Sequence, residues 1–170
     1  MAVKILSDSA CDLPKKILDE YNIDILPILV NKDDREYLDG ETLDPMKLYE
    51  DMRNGEVYKT AQIPPRVFEK KFEEIAKSGE STIYICFSSG LSGTYQSAVI
   101  TKEAIKEKYP DLDLDIVDSK SASVGFGLLV YKAAQLAKEG KPKEDILKTL
   151  DFYVDHIEHI FTVDDLEYLF

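Results

Sequence analysis

Three segments of the sequence are rich in hydroxyl side chains, and the second of them has the composition of an anion-binding loop. They are residues 7–9 (SDS), 88–94 (SSGLSGT) and 118–123 (DSKSAS). The 88–94 segment combines four hydroxyls with two glycines. A helix that begins after such a loop offers free backbone N–H groups and a partial positive charge. The pattern therefore predicts an anion site at a helix that begins near Gly93, the alternative being that Ser92 only caps that helix.

The kind of anion is indicated by the missing cations. Residues 87–101 contain no lysine or arginine, and neither a Walker pattern nor a G-x-G-x-x-G turn is present. A carboxylate held by neutral donors suits this loop best. Because Lys59, Arg66 and Lys120 flank the candidate loops, a phosphate- or nucleotide-binding, kinase-like subunit remains the alternative. A third alternative is a structural or interaction domain whose loop merely caps a helix.

Catalytic and metal-binding roles have less support. Residues 90–93 (GLSG) fall one residue short of the G-x-S-x-G nucleophile elbow. The histidines His156 and His159 are expected at the end of a helix and the beginning of a short strand, and Cys11 and Cys86 are expected to be inert buried thiols. No metal-ligand spacing relates the acidic loop residues Asp8, Asp12, Asp39, Asp118 and Asp164. We therefore expect no catalytic residue, no metal and no cofactor.

The elements that position these loops alternate between strands and helices. Apolar runs predict strands at 3–7, 24–30, 82–87 and 114–117, and Pro27 indicates an edge or a bulge in the second of them. Helices are predicted at 14–21 with Asp12 as N-cap, at 45–53, 65–77, 93–108 and 124–138, and after Pro142. This alternation predicts a three-layer α/β/α fold with a mostly parallel sheet, whose strand-to-helix loops share one edge.

The composition limits the classes of partner that we expect for this protein. The 33 acidic and 21 basic residues give a net charge of −12, which repels nucleic acid in the absence of a basic patch. The sequence has neither a signal-peptide pattern nor 18 successive apolar residues, so we expect a cytoplasmic protein without integral membrane association. A capping-box pattern at residues 162–165 predicts a further helix. The expected division is an α/β domain at 1–157 and the beginning of a truncated second domain at 158–170.

Several of these strings resemble the DegV family of bacterial fatty-acid-binding proteins. They are residues 7–14 (SDSACDLP), 60–64 (TAQIP), 88–98 (SSGLSGTYQSA), 118–119 with 123–127 (DS, SVGFG) and 162–169 (TVDDLEYL). The resemblance implies a non-catalytic protein that binds a long-chain, palmitate-like fatty acid. Some members resemble the lipid-carrying subunit of fatty acid kinase, which implies a separate kinase as a possible partner.

The resemblance also implies roles for particular residues. Thr60 and Ser92 correspond to the hydroxyls that hydrogen-bond the fatty acid carboxylate, and Gly93 and Thr94 complete the loop. Additional candidates beside the two loops are Ser89, Ala61, Ile63 and Phe126, and Leu91 and Tyr95 could line an acyl tunnel or simply pack in the core.

Two departures from the family pattern matter for these roles. The family often reads Thr-Ser-Gln-Pro where this sequence has residues 60–64 (TAQIP), so the serine hydroxyl is lost and an apolar residue is inserted. Family members continue into a second α/β domain, and the tunnel runs between the two domains.

Overall fold

The computed structural model describes residues 3–162, which form a parallel sheet covered by helices and a small antiparallel sheet beside it. The elements of this part of the chain are β1 (Lys4–Asp8), α1 (Lys15–Tyr21), β2 (Asp24–Leu26), β3 (Leu29–Lys32), β4 (Arg35–Leu38), α2 (Pro45–Arg53), β5 (Lys59–Ala61), α3 (Pro65–Ser78), β6 (Thr82–Cys86), α4 (Thr94–Lys108), β7 (Leu114–Asp118), α5 (Ser123–Lys138) and α6 (Lys143–Val154). A 3₁₀ turn at Ser9–Cys11 follows β1.

The main sheet is entirely parallel in the order β2-β1-β6-β7. Its central strand β6 is buried along its whole length. Ile83 and Ile85 point to one face, and Tyr84 and Cys86 point to the other. A strand covered on both faces needs apolar side chains at every position, which is why its sequence reads as a continuous apolar run.

Each face of the sheet carries its own core. On one face, α1, α5 and α6 pack against Ile5, Ile83 and Ile85. On the other, α3 and α4 cover Leu6 and Tyr84 with side chains such as Phe68, Phe72 and Ile105. The predicted three-layer α/β/α fold is therefore confirmed.

The small antiparallel sheet, in the order β4-β3-β5, was not predicted. The run at 24–30, expected to be one strand, divides at Pro27 into β2 and β3, which belong to different sheets. Proline has no N–H for the ladder, and the next N–H, that of Ile28, is bonded to the Ser9 hydroxyl at 3.0 Å. The expected edge position is confirmed for β2. The strand β5, which carries Thr60, pairs with β3.

Two local predictions were wrong. Asp12 does not cap α1, because it lies in the left-handed region at φ 51° and ends the 3₁₀ turn, whereas Pro14 takes the N-cap position of α1. Residues 157–162 form no strand beside His159, and α6 ends at Val154. The predicted capping box lies mostly at 163–170, outside the described residues. Within residues 3–162, no helix has the length and apolar character needed to cross a membrane.

Candidate functional site

The three hydroxyl-rich loops meet at the carboxyl edge of the parallel sheet, as predicted. The N–H of Phe87 donates to Asp8 Oδ2 at 2.9 Å, which joins the end of β6 to the end of β1. The N–H of Ser89 donates to Asp118 Oδ1 at 3.0 Å, which joins the same segment to the end of β7. The loop that leaves β6 is therefore held between the loops that follow its two neighbouring strands.

Asp8 is a fully buried carboxylate at the base of this region. It accepts the Tyr84 hydroxyl at 3.2 Å and the Ala10 N–H at 3.3 Å in addition to the Phe87 N–H. Burial raises its pKa from 3.8 to about 6, although these hydrogen bonds oppose the rise. Burial therefore favours the protonated form of this carboxyl in mildly acidic solution.

The buried cysteines are poor nucleophiles. Burial raises the pKa of the Cys11 thiol to about 11, and burial also raises the pKa of Cys86, with the nearby Asp8 charge adding to the effect. Because the thiolate is the reactive form, both side chains are protonated at neutral pH.

Ser92 and Thr94 form a hydroxyl pair at the beginning of α4. Their oxygens Oγ and Oγ1 lie 2.9 Å apart, and Ser92 Oγ also accepts the Thr94 N–H at 3.2 Å. Thr94 is fully buried, and its Oγ1 accepts the Ile63 N–H at 3.4 Å. Ser92 is only half-buried. The buried threonine therefore supports a serine that a ligand can reach.

A second contact joins the segment after β5 to the same loop. The side chain of Gln62 lies directly against Gly93, so closely that a Cβ atom added to Gly93 would overlap Gln62 Oε1. Together with the hydrogen bond from Ile63 to Thr94, this contact fixes residues 62–63 against the N-terminus of α4. The structure therefore brings the predicted loops around Thr60 and Ser92 side by side.

The remaining candidates divide into exposed and buried positions. Thr60 is exposed in β5, opposite Val30, and its hydroxyl has no hydrogen-bond partner within residues 3–162. Ala61, the next residue, is half-buried. Ile63 and Phe126 are completely buried, at 0% exposure, and each lies in one of the two cores. Both side chains pack against the sheet in this structure.

An apolar cleft of 680 Å³ adjoins the hydroxyl loop. Leu91 from the loop lines it, together with the beginning of α5 and residues 157–161. Its exposed apolar side chains are Leu91 at 67%, Val124 at 69%, Leu128 at 54%, Ile160 at 98% and Phe161 at 75%. Sequence reasoning identified Leu91 and missed the other four. The available signal was the apolar spacing of Val124 and Leu128, one helical turn apart on a helix whose other side is already apolar.

The histidines do not extend this site into a hydrolase triad. His156 stacks on Phe152 at a centroid distance of 4.0 Å and bonds its carbonyl oxygen at 2.6 Å. His159 packs against Gly125 at the beginning of α5. Neither ring hydrogen-bonds a serine in the described part of the chain. Within residues 3–162, no group of three or more His, Cys, Asp or Glu is arranged to hold a metal ion.

Comparison with known proteins decides the family. A family model described as "Uncharacterised protein, DegV family" matches residues 2–170. The chain belongs to the DegV family. Two DegV domain-containing proteins of Clostridium perfringens are 42% and 36% identical to it over 97% and 98% of this chain. The chain spans 57% and 59% of the length of these relatives.

Solved structures of DegV proteins share the fold. A stearic acid-binding protein from Eubacterium ventriosum superposes with a TM-score of 0.82 at 29% identity, over 88% of this chain and 52% of that one. DegV from Bacillus subtilis, described as a fatty acid binding protein, gives 0.79 at 29% identity over 91% and 54% of the two chains. A DegV family protein from Thermus thermophilus, whose fatty acid binding is described, gives 0.79 at 27% identity over 91% and 54%.

Proposed function

We propose that this protein binds a long-chain fatty acid, with the carboxylate held by Ser92, Thr60 and the N-terminus of α4. The observation that carries the proposal is the hydroxyl pair of Ser92 and Thr94, in which Thr94 Oγ1 also accepts the Ile63 N–H. The solved relatives described as fatty-acid-binding proteins support the same ligand class.

The hydrogen bonds of the pair allow Ser92 to donate a proton to a ligand. Either hydroxyl can donate in the contact between Ser92 Oγ and Thr94 Oγ1. When Thr94 donates, its Oγ1 accepts the Ile63 N–H and Ser92 Oγ accepts from both the hydroxyl and the N–H of Thr94. In this arrangement the Ser92 proton is directed outward. A carboxylate oxygen is the acceptor that such a donor suits, and Thr60 on β5, two residues before Gln62, offers a second hydroxyl.

The charges around the loop favour a carboxylate over a phosphate. Lys120 is paired with Asp155 at 3.4 Å, and Asp118 contacts the loop directly through Ser89. A doubly charged phosphate beside Asp118 would lack a compensating cation from the loop. A single carboxylate can be held by hydroxyls and by the free N–H groups of the helix N-terminus.

The tail needs an apolar path, and the cleft beginning at Leu91 supplies one. Its volume of 680 Å³ is within the usual range for small-molecule sites. Burying about 14 methylenes at ~0.8 kcal/mol each contributes on the order of 11 kcal/mol if the tail is fully covered. Each hydrogen bond to the charged head adds roughly 1.5–3 kcal/mol. The tail therefore supplies most of the affinity, and Ser92 with Thr60 determines which end is bound at the loop.

The proposed role is that of a non-catalytic carrier. The head group lies at the exposed edge of the sheet, where a separate kinase could reach it to form an acyl phosphate. We propose that this partner performs any phosphoryl transfer, and that the protein acts in fatty acid transport and metabolism in the cytoplasm, where its two free thiols would remain reduced.

Native mass spectrometry of the protein purified from a bacterial host tests the proposal. We expect a bound long-chain fatty acid, or its uptake when palmitate is added after delipidation. Ser92→Ala and Thr60→Ala should each weaken palmitate binding by about tenfold, since each removes one hydrogen bond to a charged group. Thr60→Ala should leave stability unchanged, whereas Ser92→Ala also removes the acceptor of the Thr94 N–H and should cost about 1 kcal/mol. Ser78→Ala, at the far end of α3, is the matched control. A delipidated protein that takes up no fatty acid, or unchanged affinity in both variants, would refute the proposal.

A further inference from the structure

Asp118 has an arrangement that the proposed site does not by itself require. At the end of β7, its Oδ1 accepts the N–H groups of Ser89 at 3.0 Å and Lys120 at 3.2 Å. Its Oδ2 accepts the Ser89 hydroxyl at 2.5 Å. The Asp118 side chain therefore accepts two hydrogen bonds from Ser89, one from its backbone N–H and one from its hydroxyl. Ser89 is the second residue of the hydroxyl loop 88–94.

A second carboxylate acts on the same segment from the opposite side. Asp8, at the end of β1, accepts the Phe87 N–H two residues earlier. The strands β1 and β7 are the two neighbours of β6 in the sheet. The backbone that leaves β6 is thus held on both sides, at Phe87 by Asp8 and at Ser89 by Asp118, immediately before it turns toward Ser92.

We propose that Asp118 is a positioning residue for the carboxylate head, which fixes the course of residues 88–94 through its paired bonds to Ser89. This inference rests on the proposed function, and it names Asp118 as the residue that makes the proposed site specific for the carboxylate head. Asp118 touches no ligand in this scheme. It acts by holding the loop in the geometry in which the Ser92 hydroxyl faces the carboxylate.

The negative charge of Asp118 distinguishes a role in positioning the loop from direct binding of the ligand. A carboxylate beside an anion site opposes the ligand electrostatically, so its contribution must come from geometry. In Asp118→Asn the Oδ1 can accept the same two N–H groups and the Nδ2 amide can donate to the Ser89 hydroxyl oxygen, so both contacts to Ser89 are kept while the charge is removed. An alanine removes the acceptors as well. Positioning therefore predicts that Asp118→Asn binds a fatty acid about as well as the wild type or better, whereas Asp118→Ala does not.

The test compares palmitate with hexadecanol, which has the same chain length and lacks the carboxylate. Affinities for both ligands are measured by fluorescence displacement on the delipidated wild type and on the variants Asp118→Ala, Asp118→Asn and Ser89→Ala. We expect Asp118→Ala to weaken palmitate binding by about tenfold and to change hexadecanol binding by less than about twofold, because only the head contacts depend on the loop. Ser89→Ala should weaken palmitate binding alone, by about threefold, since it removes one of the paired bonds.

Asp115→Ala is the matched control, because Asp115 lies on the same strand and pairs with Lys143 instead of the loop. It should leave both affinities unchanged. The inference is refuted if Asp118→Ala and Ser89→Ala retain the wild-type preference for palmitate, or if they weaken both ligands equally. It is also refuted if Asp118→Asn loses as much palmitate affinity as Asp118→Ala. A wild type that binds hexadecanol as tightly as palmitate would instead refute the proposed function, which keeps the two failures distinct.

Discussion

Replacing Asp8 by asparagine should change how stability depends on pH. The Asp8 carboxyl is fully buried, and burial raises its pKa from 3.8 to about 6. The native state therefore holds this proton more tightly than the unfolded chain does. The contribution of Asp8 to stability is most favourable below pH 3.8 and is lost as the pH rises through about 6. Asparagine has nearly the same shape and carries no charge in this range.

The magnitude follows from the two pKa values. An acid whose pKa rises from 3.8 to about 6 on folding costs about 3 kcal/mol when it is fully charged in the native state. At pH 5, roughly half of that cost is already present, because the unfolded chain is ionised while native Asp8 is still protonated. Between pH 5 and pH 7.5 the free energy of unfolding of Asp8→Asn should therefore increase by about 1 kcal/mol relative to the wild type.

Urea unfolding followed by circular dichroism at pH 5, 6 and 7.5 measures this difference. Any constant cost of the substitution, such as the amide of Asn facing the Ala10 N–H, cancels when the pH values are compared. Asp24→Asn is the control. Burial alone would raise the pKa of Asp24, but hydrogen bonds from Lys4 and Lys71 lower it, so its effect should not vary between pH 5 and 7.5. The raised pKa would be contradicted if the difference in free energy of unfolding between Asp8→Asn and the wild type stayed constant within about 0.5 kcal/mol from pH 5 to pH 7.5.

Three further outcomes follow from the contacts of the site. Gly93→Ala should lower palmitate affinity by about fivefold in a displacement assay, because its Cβ displaces the Gln62 side chain from the loop; unchanged affinity would show that this contact is dispensable. Thr94→Val should lower the free energy of unfolding by about 1–3 kcal/mol in urea, since the buried Ile63 N–H loses its acceptor; a neutral effect would exclude that bond. Leu128→Asp, at an exposed position of the cleft, should weaken palmitate more than octanoate with little change in stability, and equal weakening of both acids would place the tail elsewhere.

The sequence predicted those parts of the molecule whose physical cause is local. A continuous apolar run such as β6 can be satisfied only by a sheet covered on both faces, and it was located correctly. The small antiparallel sheet has no such pattern, because β3 to β5 are three or four residues long and carry charged side chains such as Lys32, Arg35 and Lys59. Their pairing depends on Pro27, which separates two runs that look continuous in the sequence.

The site shows the same division between local and tertiary causes. Hydroxyls and glycines after a buried strand indicated the loop around Ser92 and the importance of Gly93. The position of Gln62 over Gly93 depends on how β5 pairs with β3, which no spacing in the sequence encodes. The cleft beside Leu91 was missed for a similar reason, since apolar residues on α5 are assigned to a core until the packing shows which ones stay exposed.

The proposed site would select an anion through the geometry of neutral donors, and this determines how binding should depend on pH. Hydroxyl donors such as Ser92 and Thr60 do not titrate between pH 4 and 9, and a lysine or arginine would add an attraction that the loop lacks. Asp118 is the charged side chain that hydrogen-bonds the loop, whereas Lys120 is paired with Asp155. The hydroxyl and N–H donors that bind the ionised head lower the pKa of the bound acid, whereas the like charge of Asp118 raises it. In Asp118→Asn only the lowering effect remains, so the ratio of palmitate affinity at pH 7.5 to that at pH 5 should be larger in this variant than in the wild type.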